Sequence, residues 1–478
     1  FEMGRDTDAS DYMSCLIEHK HDAEMDTKCA AGIEHHQLIT LKDYRFSHKF
    51  KEACKESVIK HCNKVTDKSK VVSCLSEIVR NDILLEMKPQ IPHDCRKQLK
   101  VEVLRRGENI DLDPELKAAC VGDALKLCKD KHPGDAQIIE CLKENEDKIS
   151  RECFKVIFKR EREEANLGDY TLFTVCKQMI KKYCLVTDRM DDILDCLKKQ
   201  KNLPEFDAKC RMFVSRRQIQ ENKDYRLNPS LQSSCKMDIE KFCKSVVDNK
   251  DDQSMEGEVI QCLKQRFVKK VLSKRCSDEI YEIIKEAAKD YRQDPVLAKA
   301  CKMEIQKYCH VELEKLETDG DDGGQIEECL KEKLYDKKIN QTSRCFQEVL
   351  RLSVEVKIDV NIDPILHSTC QNDINRFCGD VQAGDGRQMT CLLSIQEDHP
   401  AKLSTKCLKL LQQRKALWEL SAKVAPPESF GEIYNQVIES PARHYLIGIF
   451  MTVVVFILCV GITCGRVSKR VAKEHKNK

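Results

Sequence analysis

Residues 294–309 read DPVLAKACKMEIQKYC, and this stretch decides the fold. Leu297, Cys301, Ile305 and Tyr308 recur at i, i+4, i+8 and i+11. That spacing is one face of an α-helix. Asp294 offers a side-chain oxygen to the free N–H groups of the helix start, and Pro295 suits the first helical position. The register returns at Leu366, Cys370, Ile374, Phe377; at Leu231, Cys235, Ile239, Phe242; and at Leu172, Cys176, Ile180, Tyr183. Leu116, Cys120, Ala124, Leu127 and Phe50, Cys54, Val58, His61 are looser copies. Asp113-Pro114, Asn228-Pro229 and Asp363-Pro364 repeat the start signal.

Each copy opens a four-cysteine group. The groups are Cys54, Cys62, Cys74, Cys95; Cys120, Cys128, Cys141, Cys153; and Cys176, Cys184, Cys196, Cys210. They continue as Cys235, Cys243, Cys262, Cys276; Cys301, Cys309, Cys329, Cys345; and Cys370, Cys378, Cys391, Cys407. Seven residues always separate the first two, and Leu always follows the third. Cys15-Leu16 and Cys29 fit the back half of a further repeat, cut where the chain starts at Phe1. With neither Met nor signal peptide there, the chain reads as a fragment or processed form. Self-similarity of this kind marks a tandem array.

A second helix carries the third cysteine, and a third helix begins near the fourth. Ser150, Ser273 and Ser404, three residues ahead of the fourth cysteine, are N-cap candidates. Three short helices in about 60 residues bury little apolar surface and need staples. Two disulfides per repeat supply them. Cysteines eight apart on one helix lie about 12 Å apart along its axis, too far to bond each other. Antiparallel packing of the first two helices favours nested pairing, second to third and first to fourth, although spacing alone leaves connectivity open. Under nesting, the partners of Cys15 and Cys29 lie upstream of Phe1. Zinc would want close pairs of ligands and a disulfide oxidoreductase a C-x-x-C. The one short pair, Cys459 and Cys464, sits in an apolar run. The expected fold is all-α: a tandem array of small disulfide-stapled three-helix repeats plus one C-terminal transmembrane helix.

The 28 cysteines among 478 residues fit an oxidising lumen or the cell exterior. The balance of 82 Lys+Arg against 80 Asp+Glu argues against a dedicated nucleic-acid binder. Leu446–Cys464 is an uncharged run of 19 residues, long enough to span hydrocarbon. The tail behind it carries six basic residues against Glu474, which makes it the cytosolic side. The remainder, 76 bases and 79 acids, is then luminal, in a single-pass type I arrangement. His475 stands where a dilysine signal would need Lys, and Cys464 is a palmitoylation candidate at the membrane boundary.

The expected divisions are residues 1–42 for the truncated repeat, then 43–110, 111–167, 168–223, 224–289, 290–358 and 359–424 for complete ones. A stalk at 425–444, the span at 445–465 and the tail at 466–478 follow. Asn340-Gln341-Thr342 is the luminal glycosylation sequon, in an inter-helix loop. His19, His21, His35, His36, His48 and His61 crowd the start of the chain, but they do not recur and read as ordinary surface or half-buried histidines. Glu312–Glu328 reads as an acidic solvated loop, with a basic ligand or Ca²⁺ as the sharper alternative. Lys264–Arg275 reads as the charged side of a helix, with weak sulfated-glycan binding as its alternative. No nucleophile elbow, zinc-protease, Walker or dinucleotide motif stands in a supporting context. No catalytic, metal or cofactor-binding residue is therefore assigned, and no cofactor is expected.

The repeated C-x₇-C, then C-L, then a fourth cysteine, the D-Y-R…P-x-L lead-in and the single span with a basic C-G-R-V tail resemble the Golgi apparatus protein 1 family. The resemblance runs from Cys15 to Lys478. It implies a Golgi-membrane type I glycoprotein, with some exposure at the cell surface, that binds fibroblast growth factors. It further implies association with latent transforming growth factor β and, through glycans, with E-selectin. On the residues themselves, a non-enzymatic binding scaffold is favoured over a structural luminal spacer or a lipid-binding carrier. All recurring positions are cysteine, cap or apolar face, and the repeats are too charged for a broad lipid lining.

Overall fold

The computed structural model describes residues 9–424, apart from positions 21, 23, 185–189, 249–253, 320–322, 383 and 385, together with Thr452. Residues 1–415 form one compact unit and 416–478 a second. The second holds the last turns of the final helix, through Val424, and Thr452. Among the described residues every regular element is helical. None of their helices is long and apolar enough to cross a membrane. The run Leu446–Cys464, the stalk and the tail lie outside the described residues.

Six modules follow one another, numbered I to VI here by their outer bridges: Cys54–Cys95, Cys120–Cys153, Cys176–Cys210, Cys235–Cys276, Cys301–Cys345 and Cys370–Cys407. The inner bridges are Cys62–Cys74, Cys128–Cys141, Cys184–Cys196, Cys243–Cys262, Cys309–Cys329 and Cys378–Cys391. The pairing is nested throughout. Module II shows the plan: helices Pro114–Leu127, Gln137–Glu144 and Arg151–Leu167, with a 3₁₀ turn at Ile110–Leu112 leading in.

The first helix starts where its cap predicts. Asp113, Asn228, Asp294 and Asp363 accept from the backbone N–H of Leu116, Leu231, Leu297 and Leu366 at 3.1, 2.9, 3.0 and 3.0 Å. Asp169, without a following Pro, does the same for Leu172 at 2.9 Å. The helix ends at the second cysteine, which is its C-cap in all six modules rather than a helical residue. In modules III and V it also breaks for one residue at Cys176 and Cys301. Ser150, Ser273 and Ser404 cap the third helix by accepting from Cys153, Cys276 and Cys407 N–H at 3.3–3.4 Å. Two further short helices, Lys244–Asp248 and His310–Asp319, follow the second cysteine of modules IV and V, where three helices per repeat were expected.

Leu75, Leu142, Leu197, Leu263, Leu330 and Leu392, the residues after each third cysteine, are fully buried, which accounts for the invariant C-L pair. In modules I, II and III they pack with both bridges into a small core, joined by the capped Leu in II and III. Such cores are thin, so covalent closure matters. Loop-closure entropy puts each outer bridge at about 4 kcal/mol and each inner one at about 3 kcal/mol.

Modules also touch beyond their immediate neighbours. Asn222 of module III donates to Gln293 O of the lead-in to module V at 2.7 Å. The Tyr281 hydroxyl of module IV donates to Asp359 of the lead-in to module VI at 3.1 Å. Gly324, at φ +87°, donates its N–H to Lys289 O at 3.1 Å, closing the third helix of module IV. A Cβ there would stand 2.7 Å from Ala288 O and 2.8 Å from Pro364 Cγ, so only glycine fits.

All twelve cysteines of the outer bridges have no exposed surface, whereas Cys74, Cys196, Cys262 and Cys391 of the inner bridges are half-buried. Access controls thiol–disulfide exchange. Under native conditions with limiting reductant, differential alkylation should therefore mark inner bridges before outer ones. Outer cysteines labelled first would contradict this packing.

Candidate functional site: buried charge at the module junctions

The outer bridge has a geometric consequence. In modules II, III, V and VI the cap aspartate lies seven residues before the first cysteine. An arginine lies seven residues after the fourth cysteine in modules II, III and VI, and six after it in module V. The bridge holds the two antiparallel helices with Cα atoms 4.6–5.0 Å apart in these modules. Counting seven residues each way from it moves about 10.5 Å along both axes, to the same level. There Arg160 meets Asp113, Arg217 meets Asp169, Arg351 meets Asp294 and Arg414 meets Asp363.

The preceding module closes each pair. Its contribution is the residue before its third cysteine. Ser73 Oγ accepts from Arg160 at 3.1 Å, and Glu140 accepts from Arg217 at 2.8 Å. Glu328 accepts from Arg414. Gln261 instead donates to Glu348, the partner of Arg351, at 3.0 Å. The lysine two residues after the third cysteine adds a second cation: Lys264 reaches Asp294 at 2.8 Å and Lys331 reaches Asp363 at 3.4 Å. Burial works against ionisation of Asp113, Asp294 and Asp363, but these cations outweigh it and hold all three below the ordinary aspartate value. Glu140, likewise buried, is held down to about 2 by Arg217 and Lys143.

The remaining modules change cap and partner together. In module IV the cap is neutral Asn228, and the position seven after Cys276 is Ile283. In module I the position preceding the first helix is Ser47, and seven after Cys95 stands Glu102. Lys68 then bridges Ser47 Oγ at 2.6 Å and Glu102 at 2.8 Å. Charge is matched locally in each case, as a buried site requires.

The histidines stand apart from this. His19 pairs with Asp22 at 2.7 Å and His48 with Glu52 at 3.8 Å, while His21 lies outside the described residues. Among the described residues one three-ligand set converges, Cys309, Glu312 and Cys329, and two of its sulfurs are spent in a disulfide. Among the described residues Cys15 and Cys29 carry no bridge. Asn340 is exposed, and its Oδ1 accepts from Thr342 N and Oγ1 at 3.0 Å each.

Two charged segments differ from their reading as solvated surface. Glu312–Glu328 is partly helical, and Glu327 and Glu328 are buried against Lys331 and Arg414. Lys264 of the basic stretch is buried on Asp294. The sequence reading does not single out the junction arginines and lysines, because charged residues ordinarily mark helix surface. Their signal was present in the seven-and-seven spacing about the outer bridge and in Cys-Leu-Lys at 141–143, 196–198, 262–264 and 329–331.

A profile described as a cysteine rich repeat matches residues 27–82, 93–150, 151–204, 208–271, 274–338 and 343–398. Each match carries four cysteines, starting from the fourth of one module, so the outer bridges Cys54–Cys95 through Cys301–Cys345 each join consecutive matches. A helical, disulfide-stapled cysteine-rich repeat protein is thereby defined. Over 475 residues, 98% of this chain, it is 44% identical to the Golgi apparatus protein 1 of Gallus gallus and of Homo sapiens, covering 41% and 40% of those proteins. The Golgi apparatus protein 1 homolog of Caenorhabditis elegans is 32% identical over 498 residues, 98% of this chain and 43% of the relative. The chain belongs to the Golgi apparatus protein 1 family of cysteine-rich repeat proteins. It spans about two fifths of the length of these curated relatives. No solved structure matches it.

Two outcomes follow from the junction chemistry. Arg160→Ile strands Asp113, which is 1% exposed, and should destabilise module II by about 3–5 kcal/mol. Adding Asp113→Asn, the arrangement of module IV, should recover most of that loss in thermal melts and local hydrogen exchange. Equal losses in single and double variants would mean that the pair is not coupled.

The second outcome concerns Glu161, which among the described residues has no cation within bonding distance and accepts from Gln220 at 2.9 Å. Burial pushes its carboxyl up to about 8, with Lys143 opposing and Glu146 and Glu164 adding. An acid with a raised folded pKa favours the fold below its unfolded value, near 4.5, and loses that favour as pH climbs from there to about 8. Exchange protection around this helix should therefore rise on acidification from pH 8 to 5, by on the order of 1 kcal/mol after solvent screening. Glu161→Gln should flatten that slope; an unchanged slope would assign it elsewhere.

Proposed function

We propose that the chain is a non-enzymatic binding scaffold of the Golgi membrane. Its luminal modules hold secretory-pathway proteins, fibroblast growth factors first. Latent transforming growth factor β is a further ligand, and E-selectin one reached through glycans, with Asn340 as a glycan site. The run Leu446–Cys464 and its basic tail support a single-pass type I anchor. The relatives named Golgi apparatus protein 1 support the compartment.

One observation carries the reading. The recurring residues are spent on bridges, caps and junctions, whereas equivalent solvent positions diverge. Two residues after the first cysteine stand Glu56, Gly122, Gln178, Met237, Met303 and Asn372, all exposed. A spacer needs only the repeating interior. An array whose displayed surface changes along its length suits protein ligands, as in other repeat scaffolds. The cavity lined by Leu172, Leu194, Leu227 and Pro229 together with Glu161, Asp169 and Arg217 holds only about 50 Å³, too little for an acyl chain, which disfavours a lipid carrier.

The full chain in nanodiscs, titrated against a panel of fibroblast growth factors by surface plasmon resonance at several salt concentrations, tests this. Saturable binding that weakens with salt and falls in a Met237→Lys/Met303→Lys variant is expected. Absence of saturable binding across the panel would remove the growth-factor reading.

A further inference from the structure

An open cleft separates the second helix of module I, Lys68–Leu84, from the third helix of module II, Arg151–Leu167. Lys70, Arg80, Lys159 and Arg162 line it with two acids, Glu77 and Glu163. The acids are already engaged. Glu163 accepts from Arg106 at 2.8 Å and from Arg160 at 3.1 Å. Glu77, 53% exposed, serves two guanidinium groups at once, Arg80 at 2.8 Å and Arg162 at 3.4 Å.

Positive charge is therefore left over. Lys159 is held by Glu115 at 3.0 Å, but among the described residues Lys70 forms no ion pair, and Arg162 has only its long shared one. Arg226, whose charge also bears on Arg162, is bound to its own Asp224. Of the guanidinium groups that line the cleft, those of Arg80 and Arg162 each keep a buried Nε–H without an acceptor among the described residues. Burial and the like charge of Arg80 pull the Arg162 pKa down. At the module junctions Arg160, Arg217, Arg351 and Arg414 all meet carboxylates. This cleft does not balance itself, and an oxyanion would supply the missing negative charge.

The spacing favours a chain of anions over one. Lys70 and Arg80 are ten residues apart on one helix, about 15 Å along its axis. The floor adds Ser73, Cys74 and Ser76. We infer that the cleft binds a sulfated oligosaccharide. Arg80 and Arg162 converge on one sulfate ester as Glu77 swings into solvent, and Lys70 and Lys159 engage esters further along the chain. The site is independent of the growth-factor reading, since it needs no protein ligand.

The test uses the full chain in nanodiscs and a fluorescent heparin octasaccharide, read by anisotropy. The desulfated octasaccharide and a doubly phosphorylated peptide are the comparison arms. Tight binding of the sulfated form alone is expected, weakened about tenfold or more in Lys70→Gln/Arg162→Gln. Should that variant melt early, lysine acetylation of the native chain decides. Lys70 and Lys159 should be protected by the octasaccharide, and Lys269, Lys270 and Lys274 should not. Equal binding of the desulfated sugar, tighter binding of the phosphopeptide, or protection confined to 269–274 would overturn the assignment.

Discussion

The bridge between first and fourth cysteines is the constraint on which the rest depends. It fixes the third helix against the first at a Cα separation of 4.6–5.0 Å in every module. Only with that distance fixed do equal counts along two antiparallel helices end at the same height. The cap aspartate and the third-helix arginine then meet without further adjustment. Module V makes the count seven and six, and Arg351 still reaches Asp294 at 2.7 Å, because a long arginine tolerates one residue of slip. The inner bridge has a different task. It ties the C-cap of the first helix to the second helix, and so aims the residues beside the third cysteine at the following module.

Buried ion pairs are weak evidence for stability, since desolvation offsets much of their attraction. Their value here lies in order. Asp113, Asn228 and Ser47 each require a different partner seven residues beyond the fourth cysteine, namely Arg160, Ile283 and Glu102. A third helix docked on the wrong first helix would bury an unmatched carboxylate or guanidinium. Six modules of nearly the same shape thus gain a means of closing in only one arrangement. The profile matches fall out of step with the bridges by one helix for a related reason. The recurring sequence segment and the covalently closed segment are different cuts through a continuous array.

Much of the module was legible in the sequence. The apolar register of Leu297, Cys301 and Ile305, the Asx-Pro start and the Ser caps rest on local chemistry, and the helices begin where those signals stand. Nested pairing followed from packing but not from spacing, because nothing in a cysteine count selects one of the possible connectivities. The junctions were hidden for another reason. Lysine and arginine ordinarily mark solvent, and Arg414 and Lys331 lie on helices whose composition reads as surface. Burial of such a residue becomes visible only once its carboxylate is known, and that partner comes from another helix or another module.

Contacts two modules apart decide how far local change can travel. In a simple solenoid each repeat touches only its neighbours, and stability is a sum of nearest-neighbour terms. Here Asn222 binds Gln293 O and Tyr281 binds Asp359, so lead-in turns rest on third helices two modules back. Gly324 lies between the preceding third helix and Pro364 of the following module, leaving no room for a Cβ. Opening module IV alone would unseat the lead-in to module VI as well as the junction to module V. The array should therefore lose cooperativity over groups of about three modules rather than one at a time. Against that rigid interior, the divergent exposed positions of the first helices are free to change without disturbing a bridge, a cap or a buried charge.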